Sequence, residues 1–327
     1  MKNSTAPNRK TGRMIAKNLI VLFAVALAGF CGIQAWFTDN RSAEANGIEV
    51  ECQAPDGIEI AVVGHDAPAP TEYTTGNITL NKTNYPFLEK LQLTEITGDG
   101  TFFRKPALIQ SGGQAHVDTK AEWSEPTANE HYLSFDLYIR SKSQYNISIG
   151  KKSTIKPDAS QLTSQDGTGI KNKSKYGNFS RDSVVGAVRF SVVDYKSAPP
   201  SKKLLWLPAP NILLKQTTDE YTLSDDMPSG ESYSHVYYDT NRVQHTVSST
   251  DVDKAFVVNN DGFDGGKFTY ELGQNQNIAQ LNKSSENDQF YSAMVTCNMW
   301  IEGEDAEARL ALVNGKFKVN LVLTKVS

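Results

Sequence analysis

The sequence predicts an all-β fold: an antiparallel, jelly-roll-like β-sandwich with long polar loop insertions and one short helix near the C-terminus. Three observations carry that prediction. Apolar and polar residues alternate with a period of two in seven separate segments, the pattern of strands with one buried and one wetted face. Clusters of Gly, Asn and Asp separate the segments, as turns between strands require. No regular helical pattern lies between them, which argues against parallel βαβ units and for a sandwich.

Taken in order, Ile48, Val50 and Cys52 share one face of the first strand while Glu49, Glu51 and Gln53 take the other. Leu133, Phe135, Leu137 and Ile139 alternate with Ser134, Asp136, Tyr138 and Arg140. Tyr145-Ile147-Ile149, Val184 to Val192, and Phe268-Tyr270-Leu272 repeat the rhythm. Ala293-Val295-Cys297-Met299-Ile301 and the closing Phe317-Val319-Leu321-Leu323 complete it. The turns fall at Thr97 to Gly100, Ser111 to Gly113 and Asn259 to Gly262. The one expected helix runs from about Asp305 to Val313, with Gly315 as its C-cap. Two polar stretches, 153–180 and 219–234, read as insertions into one domain spanning 36–327 rather than as linkers between two.

Residues 1–35 are different in kind. They hold Lys2, Arg9, Lys10, Arg13 and Lys17 and no acid, followed by an uncharged apolar stretch from Leu19 to Ala35. This is the plan of a secretory signal peptide, cleaved between Ala35 and Trp36. The rival reading is an uncleaved anchor, but a membrane span needs about 20 apolar residues, and this stretch runs straight into Trp36-Phe37-Thr38-Asp39. Phe30 before Cys31 leaves no lipobox. Removing 35 residues and their five bases from 327 leaves 292 residues with 28 bases against 37 acids, a net charge of −9. That balance argues against nucleic acid as a partner. With no second apolar run, no membrane span is expected after cleavage, and the protein is expected outside the cell.

Chemistry-bearing motifs are sparse. The histidines, at 65, 116, 131, 235 and 245, form no H-E-x-x-H pair, and there is no G-x-S-x-G elbow or P-loop. No catalytic residue and no cofactor are therefore expected. Two acidic turns offer oxygen ligands for calcium: Asp261 with Asp264, and Glu302 with Asp305. Neither has EF-hand spacing, and Asp-Gly pairs are ordinary turn formers. Cys52 and Cys297 both fall on apolar strand faces. They form either a disulfide closing most of the chain, favoured by export, or two buried free thiols.

The run Ala35-Trp36-Phe37-Thr38-Asp39-Asn40, followed by a short polar stretch and a first strand, resembles the SipW-dependent signal peptides of the TasA and camelysin family of Gram-positive bacteria. The resemblance implies export by a signal peptidase of the SipW type and a jelly-roll-like sandwich. It also implies assembly into matrix fibres in which an N-terminal strand of one subunit completes the sheet of the next. The donor here would be Trp36 to Cys52. These points lead to a secreted, non-enzymatic structural or surface protein of the extracellular matrix or biofilm, whose partners are copies of itself or other matrix proteins. The alternative is a secreted glycan- or ligand-binding module using Trp123, Trp206 and Tyr237-Tyr238, since aromatic faces suit sugar stacking. A camelysin-like metallopeptidase is the lesser alternative, without an H-E-x-x-H to support it.

Overall fold

A computed structural model describes residues 43–44, 48–111, 114–158, 185, 187–208, 213–217, 220–224, 236–246, 256–259, 269–303 and 316–326. All lie within one compact unit, Ser42–Ser327. The expected signal segment, the Trp36–Asp39 motif and the expected 305–313 helix lie outside the described residues.

Two sheets pack face to face, and the protein is an all-β sandwich. In the first sheet the order is Phe256–Asn259, Ser201–Pro208, Val188–Asp194, Tyr291–Glu302, Leu133–Ser141, Glu59–Gly64. Its long central strand, Tyr291–Glu302, pairs antiparallel with Leu133–Ser141 along nine residues and with Val188–Asp194 along six. In the second sheet Phe317–Val326 is central. It pairs antiparallel with Thr154–Pro157 at one end and with Asn146–Ile149 at the other. On its opposite flank it pairs in parallel with Ile48–Gln53, which is bordered in turn by Ile78–Leu80. Tyr270–Glu271 and Gln276–Gln280 form the far edge.

The alternation read from the sequence is what makes the core. Val50, Cys52, Ile147, Ile149, Phe317, Val319, Leu321 and Leu323 project from the second sheet toward Phe135, Leu137, Ile139, Phe190, Val192, Val295, Cys297 and Met299 from the first. All of these are at most 2% exposed. At about 1.5–3 kcal/mol for each large apolar side chain buried, this layer dominates the stability of the fold.

The expected polar insertion at 153–180 begins later than its composition suggests. Thr154–Pro157 is a strand of the second sheet, with Ile155 and Pro157 turned inward, and the flanking lysines conceal its alternation. Ser153 is fully buried, its Oγ accepting the Val322 N–H at 2.9 Å. Residues 159–180 of that stretch lie outside the described residues. Likewise Glu220–Ser224, inside the expected 219–234 insertion, forms a hairpin with Leu213–Thr217.

The outer face of the first sheet is also covered. Every residue from Val295 to Glu302 is buried, the signature of a strand with protein on both faces. Glu95–Gly98 adds in parallel to Ile301-Glu302, and Ile96, Phe103, Leu205, Leu207 and Trp300 form a second, smaller apolar cluster there.

Candidate functional site

Two regions concentrate features beyond plain packing: the seam where the first strand meets the last, and a polar network on the covered face of the first sheet.

At the seam, Ile48–Gln53 lies between two strands remote in sequence. Val50 faces Val319 on one side and Leu80 on the other, and Cys52 faces Leu321 and Ile78. Glu49 is tied to Lys318 by an ion pair of 3.2 Å, half-exposed and worth at most about 1 kcal/mol. On the other side Asn77 Nδ2 donates to Glu51 Oε1 at 2.8 Å, so the strand is held by two main-chain ladders, two buried side chains and these two polar contacts. It leaves the sheet through Ala54-Pro55-Asp56-Gly57, where Gly57 has φ +74°, a conformation that glycine adopts without strain.

Cys52 and Cys297 point into the same core from opposite sheets and are free thiols in the structure. Of the two sequence readings, the unbridged one is what the structure contains. Burial, and then the Glu51 carboxylate, push the Cys52 thiol up to about 12. Burial, followed by the neighbouring Cys52, pushes Cys297 well above the ordinary thiol range. Both are therefore protonated and unreactive as nucleophiles at neutral pH.

The polar network is built from the residues that alternate with the core. Ser134 Oγ donates to Asn298 Oδ1 at 2.7 Å, and Asn298 Nδ2 donates to Ser191 Oγ at 3.3 Å. Both contacts join residues directly opposite each other in neighbouring strands. Ser191 Oγ then donates to the Gly100 carbonyl at 2.8 Å. One step along, Asp136 Oδ1 accepts from Thr296 Oγ1 at 2.7 Å and from His65 Nδ1 at 2.9 Å. The segment that covers this face is folded by Asp99, which accepts from the Thr101 hydroxyl and from the Thr101 and Phe102 amides. Burial pushes Asp99 up, but Lys202 and those donors outweigh it and hold the carboxyl below its usual range. Gly100 has φ +90°, and a Cβ there would come within 2.8 Å of Ser191 Cβ.

His65 and Asp136 have the geometry of an oriented imidazole but not that of a nucleophilic site. A Ser-His-Asp arrangement needs a hydroxyl on the free ring nitrogen. Here His65 Nε2 faces Asp66 Oδ2 at 3.6 Å, and the nearby Thr296 hydroxyl donates to the carboxyl instead. What the network does is satisfy a carboxyl that is 4% exposed, which an apolar setting would otherwise penalise heavily. His131 is engaged separately, its Nδ1 accepting the Thr127 N–H at 2.8 Å. His116 and His245 lie in other hairpins, and His235 is outside the described residues.

The remaining sequence-derived site residues fare as follows. Asp261, Asp264 and Asp305 lie outside the described residues. Glu302 is 1% exposed and accepts from the Trp300 indole at 3.2 Å, so it does not face a surface cation. Among the described residues no three His, Cys, Asp or Glu side chains gather where they would hold a metal ion. Of the aromatic residues expected to stack on a glycan, the side chain of Tyr237 lies outside the described ones, and the other three do not form an exposed platform. Trp206 is fully buried in the main core and Tyr238 is 7% exposed. Trp123 packs edge-on against Tyr238 with ring centroids 5.6 Å apart. For Trp206 and Tyr238, the sequence could not show that their side of the strand would be covered. No family model, no curated protein and no solved structure matches this chain.

Proposed function

We propose that this protein is a secreted, non-enzymatic structural protein of the cell surface or extracellular matrix, exported on its 1–35 leader and assembled by exchange of its N-terminal strand. The observation that carries this reading is the seam. Ile48–Gln53 is an N-terminal segment lying between Phe317–Val326 and Ile78–Leu80, joined to the next strand by a short connection. Its contacts are main-chain ladders, two inward side chains, the Glu49–Lys318 ion pair and the Asn77–Glu51 hydrogen bond, so an identical strand from a second copy satisfies the same slot at no loss of contacts. The exchange links copies head to tail, and a head-to-tail contact whose rotation does not close propagates as a filament.

The test compares residues 36–327 with a chain beginning at Ala54, by negative-stain electron microscopy across concentration. The mature chain is expected to form filaments. The shortened chain lacks Val50 and Cys52 from its core, and it is expected to stay unassembled and to regain stability on addition of a peptide spanning 36–53. A mature chain that remains monomeric at every concentration overturns the reading. So does a shortened chain that still forms filaments.

A further inference from the structure

A cleft of about 490 Å³, lined in part by Ile278, Ala279 and Gln280 of the second sheet, opens beside the central strand of the first sheet, well within the ~300–1,000 Å³ range of small-molecule sites. Its floor is a gap in the sheet. Tyr291–Glu302 is flanked by Val188–Asp194 only from Thr296 onward, where Val193 pairs with it. At its other end Ser292 exchanges both main-chain hydrogen bonds with Asn282, at 3.1 and 2.8 Å. Met294 lies midway between these contacts. Its N–H and C=O point the same way as those of Ser292 and Thr296, because main-chain groups alternate sides along a strand. They face the cleft, and among the described residues nothing pairs with either.

The gap is too short for a peptide strand. From Ser292 to Thr296 is four residues, about 13 Å at ~3.3 Å per residue, and both ends are closed by chain already in the sheet. A compact ligand with its own donors and acceptors fits instead. The wall beside Met294 is aromatic: Tyr138 is its cross-strand partner, and Tyr73 lines the same space. Tyr73 is braced by the Arg140 guanidinium, 3.8 Å from its ring centroid, and Arg140 is itself fixed by Glu59 at 2.6 Å. The facing wall carries Lys196 and Lys203, neither of which makes an ion pair with any described residue, against one carboxylate, Asp194, which accepts the Lys196 amide.

An aromatic wall, an unpaired main-chain donor and acceptor, and an excess of cationic side chains together select one ligand class. We propose that this cleft binds a short acidic saccharide, with its ring against Tyr138, its hydroxyls on the Met294 main chain and its carboxylate toward Lys196 and Lys203. The site is independent of the strand seam, so it stands or falls separately from the assembly reading.

The experiment is calorimetric titration of the full chain with di- and trisaccharides of glucuronic and galacturonic acid, and with their neutral counterparts. Saturable binding of the uronides is expected, weakening as salt is raised. Replacing both lysines (Lys196→Gln with Lys203→Gln) is expected to weaken it about tenfold or more, as loss of charge-assisted contacts does. Unchanged circular dichroism of that variant checks its fold, and the exposed single substitution Lys196→Gln serves as a second, milder variant. Binding of none of the uronides overturns the proposal. So does equal binding of neutral and acidic sugars, or uronide affinity that the lysine substitutions leave unchanged.

Discussion

His65 sits between two carboxyl groups, with Asp136 on its Nδ1 at 2.9 Å and Asp66 near its Nε2 at 3.6 Å. The hydrogen bond to Asp136 raises its pKa above the ordinary value of 6.5, against the opposing effect of burial, and both carboxylates add to the rise. A raised folded-state pKa means that the folded chain holds the proton more tightly than the unfolded chain. The stability it contributes is fully present below pH 6.5 and is lost as pH rises through the folded-state value. His65→Asn removes the titration while keeping a polar side chain. Urea denaturation across pH 5 to 9 is therefore expected to show a gap between the two proteins that is largest at acid pH and shrinks toward alkaline pH. A gap that is constant, or that widens with pH, would mean that the imidazole is not held by Asp136 as a cation. None of this was readable from the sequence, where His65 and Asp136 are 71 positions apart. Asp136 looked like an ordinary outward residue of an alternating strand.

At the level of elements, the sequence pattern located the strands that alternate cleanly and missed those that do not. Leu133–Ser141, Tyr291–Glu302 and Phe317–Val326 were readable because one face of each is apolar at every second position. Thr154–Pro157 was hidden among lysines and serines, and Glu95–Gly98 behind its own turn, because neither is long enough to establish a period. The seam was half readable. The alternation placed Cys52 inward but could not show that its strand runs parallel to the last one, since pairing partners are set by tertiary contacts. That pairing makes Cys52 a reporter on the strand. In a chain of residues 36–327 neither Cys52 nor Cys297 is expected to react with a thiol reagent under native conditions, and both are expected to react in denaturant. During assembly Cys52 is expected to become labelled transiently while Cys297, in the central strand of the other sheet, stays protected. Two unreactive sulfurs in denaturant would instead reveal a bridge. Equal labelling of both during assembly would mean global unfolding rather than release of one strand.

For the whole molecule, the all-β sandwich followed from composition and periodicity, whereas the second layer on the first sheet did not. Ile96, Phe103 and Trp300 come from separate segments, and only the folded chain brings them together. Net charge, by contrast, is a whole-molecule property that the sequence gives directly, and it bears on assembly. On the proposed reading, cleavage after residue 35 takes the chain from −4 to −9, so identical subunits of residues 36–327 would repel as they approach. On the strand-exchange reading the slot is mainly main-chain and apolar, with one half-exposed ion pair, Glu49 to Lys318, and one exposed hydrogen bond, from Asn77 Nδ2 to Glu51 Oε1 at 2.8 Å, so attraction between subunits draws little on charge. Repulsion between exposed charges is screened over about 10 Å at 0.1 M salt and about 3 Å at 1 M, while hydrogen-bonded ladders and buried Val50 and Cys52 are barely affected. Filament growth followed by light scattering is therefore expected to accelerate as sodium chloride rises from about 0.01 to 0.5 M, a range that shortens the screening length severalfold. The chain beginning at Ala54 should show no growth at any salt concentration. Growth that slows as salt rises would mean that opposite charges on neighbouring subunits drive the contact, placing the assembly surface away from the strand seam.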